Sequence, residues 1–342
     1  MIKLGVVGYG YWGPNLVRNF AESIDAQVTA VADLDEGRLA IVKRRFPGVE
    51  TSTDVGRLLA DPKTDAVAIA TPVSSHFDLA LRALRADKHV FIEKPLTETA
   101  EQAETLLEEA DKRGLLLHVD HTFVYTGAVR KIRELVEAGE LGDLYYYDSV
   151  RVNLGLFQSD VDVIWDLAVH DLSIMDHVFS AKPVAVSAAG MSHVPGKPTN
   201  VAFLTVFFEE NTIAHLHLNW LAPVKVRRTL IGGSRKMVVY DDLEPSEKVK
   251  VYDKGITLDG TAEEVYQRRI GYRAGDMWAP KLEVTEALKV EADHFVRCIQ
   301  DGQPSLSDGR AGLRVVQVLE AASRSLTERG RPVKLGWKGR GA

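Results

Sequence analysis

Three glycines in six positions, Gly8, Gly10 and Gly13, follow an apolar run at residues 2–7 and precede a segment with helical spacing of apolar side chains. The local order is therefore strand, glycine turn, helix. In such a turn the first glycine permits a sharp bend, the second lets the backbone approach a pyrophosphate, and the third brings the helix close to the strand. Pro14 is compatible with this order, because an N–H in the first helical turn has no intrahelical partner. A phosphate cradle and a bare tight turn both remain open at this point.

The alternation of apolar runs with helical patterns continues to about residue 122, with further runs at 26–33, 64–72, 89–95 and 115–120. Repeated strand–helix units predict a doubly wound parallel sheet of the Rossmann type, and we assign residues 1–122 to it. Ligands of such sheets bind outside the carboxyl ends of the strands. The residues predicted at those ends are Gly8, Asp33, Thr71, Lys94 and His121. This context favours the phosphate cradle.

Asp33 ends the second apolar run, where an acidic side chain can accept hydrogen bonds from the adenosine ribose. A carboxylate there would repel a 2′-phosphate, so the sequence favours NAD over NADP. Two alternatives remain open. Asp33 could merely cap the loop before Asp35, and Arg38 could accommodate NADP.

After residue 122 the pattern changes to successive strand-like runs at 144–153, 183–194, 201–208, 212–221, 226–233 and 236–242, and a hairpin turn is predicted at residues 209–211. These runs predict a C-terminal α+β domain at residues 123–342 with a large, mostly antiparallel sheet. Two amphipathic helices are predicted at 286–302 and 312–326. In the run at 212–221 the period places His215 and His217 on one face, where a metal site is the less favoured interpretation.

The composition excludes several classes of protein. Hydrophobic residues make up 45% of the 342 residues and charged residues 26%, which argues against disorder. The net charge of −6 gives no electrostatic footprint for nucleic acid. No apolar run approaches the ~20 residues that span a bilayer, and the first residues do not resemble a signal peptide, so we expect a cytoplasmic protein. The single cysteine, Cys298, excludes an internal disulfide, and a buried thiol is favoured over a reactive one.

Four segments in this order, "GYGYWGPN", "ATPVSSH", "EKP" and "DLAVHD", resemble the glucose-fructose oxidoreductase / inositol dehydrogenase / MocA (Gfo/Idh/MocA) family over nearly the whole chain. The segments at 119–155 and 219–233 are similar to the branch that acts on nucleotide-linked sugars, including UDP-N-acetylglucosaminuronate 3-dehydrogenases. The resemblance implies a homodimer or homotetramer formed through the C-terminal sheet.

The resemblance also implies three catalytic residues. Lys94 would contact the reacting hydroxyl. Asp166 and His170, four residues apart on a predicted helix, would lie over the nicotinamide, with the histidine accepting or relaying the proton. Structural alternatives remain open for all three. Lys94 could be a solvated surface lysine, Asp166 a helix cap and His170 a hydrogen-bonded core histidine. A zinc site lacks a third ligand with supporting spacing, and we predict no metal.

The other candidates come from the same resemblance and from the strand ends. Cofactor contacts are expected from Gly8, Gly10, Tyr11, Trp12, Gly13, Asp33, Arg38, Thr71, Pro72, His76, Glu93 and Lys94. Substrate contacts are expected from His121, Tyr125, Asn153, Lys225 and Arg227. Two structural alternatives remain open: His76 could cap the start of a helix, and Asn153 could be a turn residue. Lys225 and Arg227 could bind a diphosphate or a uronic carboxylate, or their charges could only keep an edge strand soluble.

The predicted function is therefore an NAD-dependent oxidoreductase that transfers hydride between nicotinamide and a ring carbon, C3 by analogy, of a nucleotide-linked sugar. An inositol or free-sugar dehydrogenase and an NDP-keto-sugar reductase remain open. A non-catalytic NAD(H)-sensing scaffold is the rival from another class. Lys94, Asp166 and His170 argue against it, because sensing requires none of them.

Overall fold

The computed structural model describes residues 1–155, 161–209, 211–257 and 271–337. The chain divides into two compact units. The first contains Met1–Thr126 and Val284–Gln317, and the second contains Gly127–Glu283 and Val318–Ala342.

The first unit alternates strands and helices, and the five predicted strand runs all appear in it, with β3 and α3 in addition. Its elements are β1 Ile2–Val7, α1 Gly13–Ala21, β2 Ala26–Ala32, α2 Glu36–Arg45, β3 Glu50–Ser52, α3 Val55–Ala60, β4 Ala66–Ile69, α4 His76–Arg85, β5 His89–Glu93, α5 Ala100–Arg113 and β6 Leu117–Asp120. Short 3-10 helices occupy Val73–Ser75 and Thr122–Tyr125. The strands form one six-stranded sheet in the order β3-β2-β1-β4-β5-β6, and every pairing is parallel. This is the Rossmann order, and its switch point lies between β1 and β4.

The second unit contains a nine-stranded sheet. Its strands in chain order are β7 Leu144–Leu154, β8 Pro183–Met191, β9 Val201–Phe208, β10 Ile213–Asn219, β11 Leu221–Gly233, β12 Met237–Asp241, β13 Val249–Thr257, β14 Gly271–Trp278 and β15 Val333–Lys334. The sheet order is β14-β13-β12-β11-β7-β10-β9-β8-β15, and only the β7–β10 pair is parallel. The predicted fold class, a parallel Rossmann sheet followed by a mostly antiparallel α+β sheet, is confirmed.

Within the second unit two helices precede β8, α6 at Gly127–Glu137 and α7 at Val169–Val178, and a π-helical turn at Ile164–Ala168 leads directly into α7. Towards the C-terminus lie α8, Ala287–Asp301, and α9, Gly309–Thr327. The predicted hairpin joins β9 to β10, and Asn211 there has a φ of 64°. Residue 210 lies outside the described residues.

The observed division differs from the predicted one at α8, which the sequence assigned to the second domain. Its apolar face instead belongs to the core of the first unit. Phe295 makes edge-to-face contacts with Phe20 of α1 and Phe91 of β5, at ring-centroid distances of 6.1 and 5.5 Å. The helical period correctly identified the apolar face, but a period does not say which sheet that face covers.

Candidate active site

The glycine turn after β1 has the geometry of a phosphate-binding loop. Gly8 has a φ of +93°, and a Cβ there would lie 2.5 Å from the carbonyl oxygen of Ala70. A Cβ on Gly13 would lie 2.1 Å from the carbonyl oxygen of Gly8, so the start of α1 lies against the end of the strand. A Cβ on Gly10 would meet only Nη1 of Arg38, at 3.6 Å. Gly8 and Gly13 therefore serve the turn and the packing, whereas Gly10 leaves room for a ligand.

Asp33 connects the loops that follow β1 and β2. Its Oδ2 accepts a hydrogen bond from the backbone N–H of Tyr9 at 2.6 Å, and its Oδ1 accepts one from the N–H of Asp35 at 2.8 Å. Nη1 of Arg38 lies 3.4 Å from Oδ2. The cap of α2 is Asp35, whose Oδ1 accepts from the N–H of Gly37 at 2.8 Å. Asp33 is therefore a carboxylate fixed beside the glycine loop, with a cation within reach.

His76 connects two other strand-end loops. Its Nε2 lies 2.9 Å from the carbonyl oxygen of Thr71, and its Nδ1 lies 2.9 Å from that of Pro95, which follows a cis peptide bond after Lys94. Burial lowers the pKa of His76, and because a neutral imidazole has one N–H, the ring donates a hydrogen bond to only one of these two carbonyl oxygens at a time. The side chain is 1% exposed. The structure thus differs from the predicted direct cofactor contact, because the ring holds the loops that carry Thr71 and Lys94.

Two buried groups at the ends of β5 and β6 have polar atoms that make no hydrogen bond within the described residues. They are Oε1 of Glu93 and both ring nitrogens of His121. Burial lowers the pKa of His121 to about 4, against the opposing effect of Asp120, and the positive charge of Lys94 lowers it further. His121 is therefore neutral at pH 7, with one donor and one acceptor.

The two aromatic residues of the glycine loop differ in their surroundings. Nε1 of Trp12 donates to Oδ2 of Asp120 at 2.7 Å, which ties the loop to the end of β6. The side chain of Tyr11 is 92% exposed beside it. Pro72, also predicted to contact the cofactor, is exposed directly after Thr71.

Tyr125 requires a correction. The sequence placed it among the substrate contacts, but it is 1% exposed in the core of the first unit. Its hydroxyl lies 3.0 Å from Oγ of Ser307 and 3.4 Å from Oγ of Ser305. Burial also raises its pKa above the ordinary value for tyrosine, so the hydroxyl stays protonated. The short spacing from His121 suggested proximity to the site, but the 3-10 helix turns this ring into the core.

Asp166 and His170 lie in the second unit, Asp166 in the π-helical turn and His170 in the first turn of α7. Oδ2 of Asp166 accepts a hydrogen bond from Nε1 of the buried Trp220 at 3.0 Å. The helix cap that remained open for Asp166 is provided by Asp162, whose Oδ1 accepts from the N–H groups of Ile164 and Trp165 at 2.9 and 3.1 Å. Asp166 and His170 are both half-buried. A π-helical turn of this kind is frequent at functional sites.

The remaining substrate candidates lie on β7 and β11. Asn153 is half-buried, and Lys225 is exposed. Nη1 of Arg227 lies 3.3 Å from Oδ2 of Asp242, so a carboxylate already offsets part of its charge. Neither the pairing of Arg227 nor the bond from Trp220 to Asp166 could be read from spacing, because both join residues on different elements.

Sequence reasoning missed Asp120, although it ends β6 directly before His121. It also missed Glu291 on α8, which carries a buried carboxyl group in the first unit. Across the described ranges, no group of three His, Cys, Asp or Glu side chains could hold a metal ion. No helix within them is long and apolar enough to cross a bilayer.

Two family models match the chain. Residues 2–121 match the oxidoreductase family with an NAD-binding Rossmann fold, and residues 129–239 match the Gfo/Idh/MocA C-terminal domain. The chain belongs to the Gfo/Idh/MocA family. Its first unit is an NAD-binding domain, and the protein is an NAD-dependent dehydrogenase. The glycine loop, with its open position at Gly10 and a carboxylate at Asp33, fits this cofactor.

Relatives within the family differ in substrate. UDP-N-acetylglucosamine 3-dehydrogenase of Acidithiobacillus ferrooxidans is 31% identical over 92% of this chain and 94% of its own. Myo-inositol 2-dehydrogenase of Thermotoga maritima is 24% identical over 98% of both chains. Among solved structures, the A. ferrooxidans enzyme superposes with a TM-score of 0.81 at 28% identity, covering 96% of this chain and 98% of its own. Levoglucosan dehydrogenase, solved with NADH and levoglucosan, shares the fold at a TM-score of 0.83 and 19% identity, covering 98% of this chain and 99% of its own.

Proposed function

We propose that this dehydrogenase transfers hydride between NAD(H) and a ring carbon, C3, of a nucleotide-linked sugar of the UDP-N-acetylglucosamine or UDP-N-acetylglucosaminuronate type. The observation that carries the proposal is the proximity of Lys94 and His121 at the ends of β5 and β6. There Lys94 lies close enough to His121 to lower its pKa, at the same sheet edge as the glycine loop. A cation and a neutral imidazole together offer the donors and the acceptor that a secondary alcohol and its ketone require. The similarity to a nucleotide-sugar 3-dehydrogenase over most of the chain supports the sugar class.

The residues proposed to hold the cofactor follow from these contacts. When bound, NAD supplies the hydride acceptor. The loop from Gly8 to Gly13 and the start of α1 would receive the pyrophosphate, since helix N-termini present free N–H groups to anions. Asp33 would accept from the adenosine ribose, and Thr71 and Glu93 would line the nicotinamide side.

The proposed catalytic roles are those that the family resemblance implies. Lys94 contacts the reacting hydroxyl and stabilises the negative charge that develops on its oxygen. His170 accepts the hydroxyl proton, a role that an imidazole commonly serves in general acid–base catalysis. Asp166, whose Oδ2 is fixed by Trp220, orients His170 or the substrate. Lys225 and Arg227 are proposed to bind the diphosphate or carboxylate of the substrate.

The test is NADH formation at enzyme concentrations high enough to detect a single turnover. The substrates are UDP-N-acetylglucosaminuronate, UDP-N-acetylglucosamine, myo-inositol and glucose. A signal only with a UDP-sugar, lost in Lys94→Met while NADH still binds, is the expected result. A signal only with inositol or glucose would assign the protein to the inositol dehydrogenase branch, to which other relatives belong. If none of the four substrates gives NADH and none of their keto forms oxidises NADH, the NAD(H)-sensing scaffold is favoured.

We further propose a homodimer or homotetramer formed through the open face of the nine-stranded sheet, and a cytoplasmic location. The support for self-association is the exposure of apolar side chains on β9 and β10. Phe203 is 42% exposed and Ile213 is 44% exposed.

A further inference from the structure

Three carboxyl groups meet in the interior of the first unit, below the strand ends. Glu93 ends β5 and Asp120 ends β6, and the two residues are register partners in the parallel sheet. Glu291 extends from α8 and is fully buried. The carboxyl groups of Glu93 and Glu291 each lie within hydrogen-bonding reach of that of Asp120. Two carboxylates cannot hydrogen-bond to each other, so each of these contacts needs a proton.

The surrounding contacts indicate where the protons lie. Oδ2 of Asp120 accepts from Nε1 of Trp12 at 2.7 Å, and Oδ1 accepts from the hydroxyl of Thr122 at 2.5 Å. An ionised carboxylate has about four lone-pair sites, so two remain for the two glutamates. Asp120 already has two donors in place and is therefore suited to accept from both glutamates.

Each glutamate has one oxygen with a donor and one without. Oε2 of Glu93 accepts from the backbone N–H of Lys94 at 3.2 Å, whereas no donor among the described residues reaches its buried Oε1. In the tautomer that carries the ring proton on Nε2, His118 donates to Oε1 of Glu291 at 3.1 Å, whereas Oε2 of Glu291 has no hydrogen-bond partner among the described residues. A proton on each of these two oxygens would make it a donor, and the Asp120 carboxylate lies within reach of both carboxyl groups.

We propose that Asp120 is a positioning residue of the cofactor site, and that its ionised carboxylate receives a protonated carboxyl group from Glu93 on one side and from Glu291 on the other. The same carboxylate holds the indole of Trp12 and so fixes the glycine loop against the ends of β5 and β6. The group carries one negative charge in place of three. This inference rests on the NAD-binding domain and is independent of the identity of the sugar.

The charges around the group are consistent with this assignment. Burial and Asp120 raise the pKa values of both Glu93 and Glu291 well above the ordinary value. The titratable groups that face the three carboxyls from the neighbouring elements are Lys94, His118, His121 and Tyr125. Burial lowers the pKa values of His118 and His121, which are therefore neutral at pH 7. Among these four groups, the positive charge lies on Lys94, and the single negative charge proposed for the three carboxyl groups balances it.

Infrared spectroscopy of the protein without ligand tests the protonation directly. We expect protonated-carboxyl C=O bands at pH 7 that shift in D2O, one lost in Glu93→Gln and another lost in Glu291→Gln. The matched control is Glu109→Gln, which removes an ionised glutamate paired with Arg113 and should leave these bands unchanged. Absence of protonated-carboxyl bands at pH 7, or their survival in both variants, would overturn the proposal.

NADH binding tests the positioning role without any sugar. Asp120→Asn removes the ionised acceptor, and we expect NADH to bind about tenfold more weakly. The Trp12 emission, obtained as the difference from Trp12→Phe, should shift in the same variant. Glu291→Gln should bind NADH more tightly than Glu291→Ala, because a neutral amide can still donate to Asp120. Unchanged NADH affinity and Trp12 emission in a folded Asp120→Asn protein would contradict the proposal, and the infrared result decides the protonation if that variant does not fold.

Discussion

Gly10 and Gly13 belong to the same loop but differ in what surrounds their α-carbons. A Cβ on Gly13 would overlap the carbonyl oxygen of Gly8, whereas a Cβ on Gly10 would make an ordinary contact with Arg38. We expect Gly13→Ala to lower the free energy of unfolding by about 1–3 kcal/mol. Gly10→Ala should keep the wild-type stability and weaken NADH binding, because its methyl group fills the approach of the pyrophosphate.

Denaturant unfolding and fluorescence titration with NADH, carried out on both glycine variants, measure these effects. Equal losses of stability in the two variants would mean that Gly10 is a packing residue rather than the open position of the loop.

The buried neutral His121 predicts a pH dependence. Its pKa is about 4 in the folded protein and near 6.5 in the unfolded chain, so the unfolded chain binds more protons between these values. Stability contributed by this residue is therefore present above pH 6.5 and is lost as the pH falls towards 4. The slope of unfolding free energy against pH in this window should decrease by up to ~1.4 kcal/mol per pH unit in His121→Asn. Urea unfolding at several pH values measures it, and identical slopes in the two proteins would contradict a buried neutral histidine.

At the scale of elements, β7 and α7 are joined by a buried ion pair. Nε and Nη2 of Arg151 lie 2.7 and 3.1 Å from the two carboxylate oxygens of Asp171. Arg151→Met leaves the buried Asp171 without this counter-charge, and we expect a loss of about 3–5 kcal/mol in unfolding free energy. Arg130→Ala breaks an exposed pair with Glu283 and should cost about 0–1 kcal/mol. Calorimetry or urea unfolding compares the two variants, and similar losses would show that burial does not set the cost.

Strands and helices were predicted best where a strong period of apolar residues was bounded by turn-forming residues. The run at 201–208 coincides with β9, and the glycine turn lies where the alternation placed it. The strands β3, β13, β14 and β15 were not predicted. β15 has two residues, too few to show a period, and it is defined by its pairing with β8. Short or irregular strands of this kind are specified by their neighbours rather than by their own pattern.

At the scale of the whole molecule, self-association through the open sheet face leads to a further prediction. Introducing a charge at Phe203 should shift the protein towards the monomer, because the side chain lies on the face proposed to be buried between copies. Phe203→Asp is compared with Ile24→Asp, which alters an 88% exposed apolar residue in the first unit. Sedimentation velocity gives the oligomeric state. A monomeric wild-type protein, or equal behaviour of the two variants, would reject this face as the interface.

The sequence by itself determined the class of each sheet, the phosphate-binding turn and the strand ends at which functional groups occur. These features are local, because periods, glycines and strand ends are properties of neighbouring residues. Only the tertiary structure decided that α8 covers the first sheet, that Tyr125 lies in the core, and that Asp120 meets Glu93, Glu291 and Trp12. Each of these facts depends on contacts between residues far apart in the chain. No spacing specifies such contacts, and burial then sets the protonation of the groups that meet.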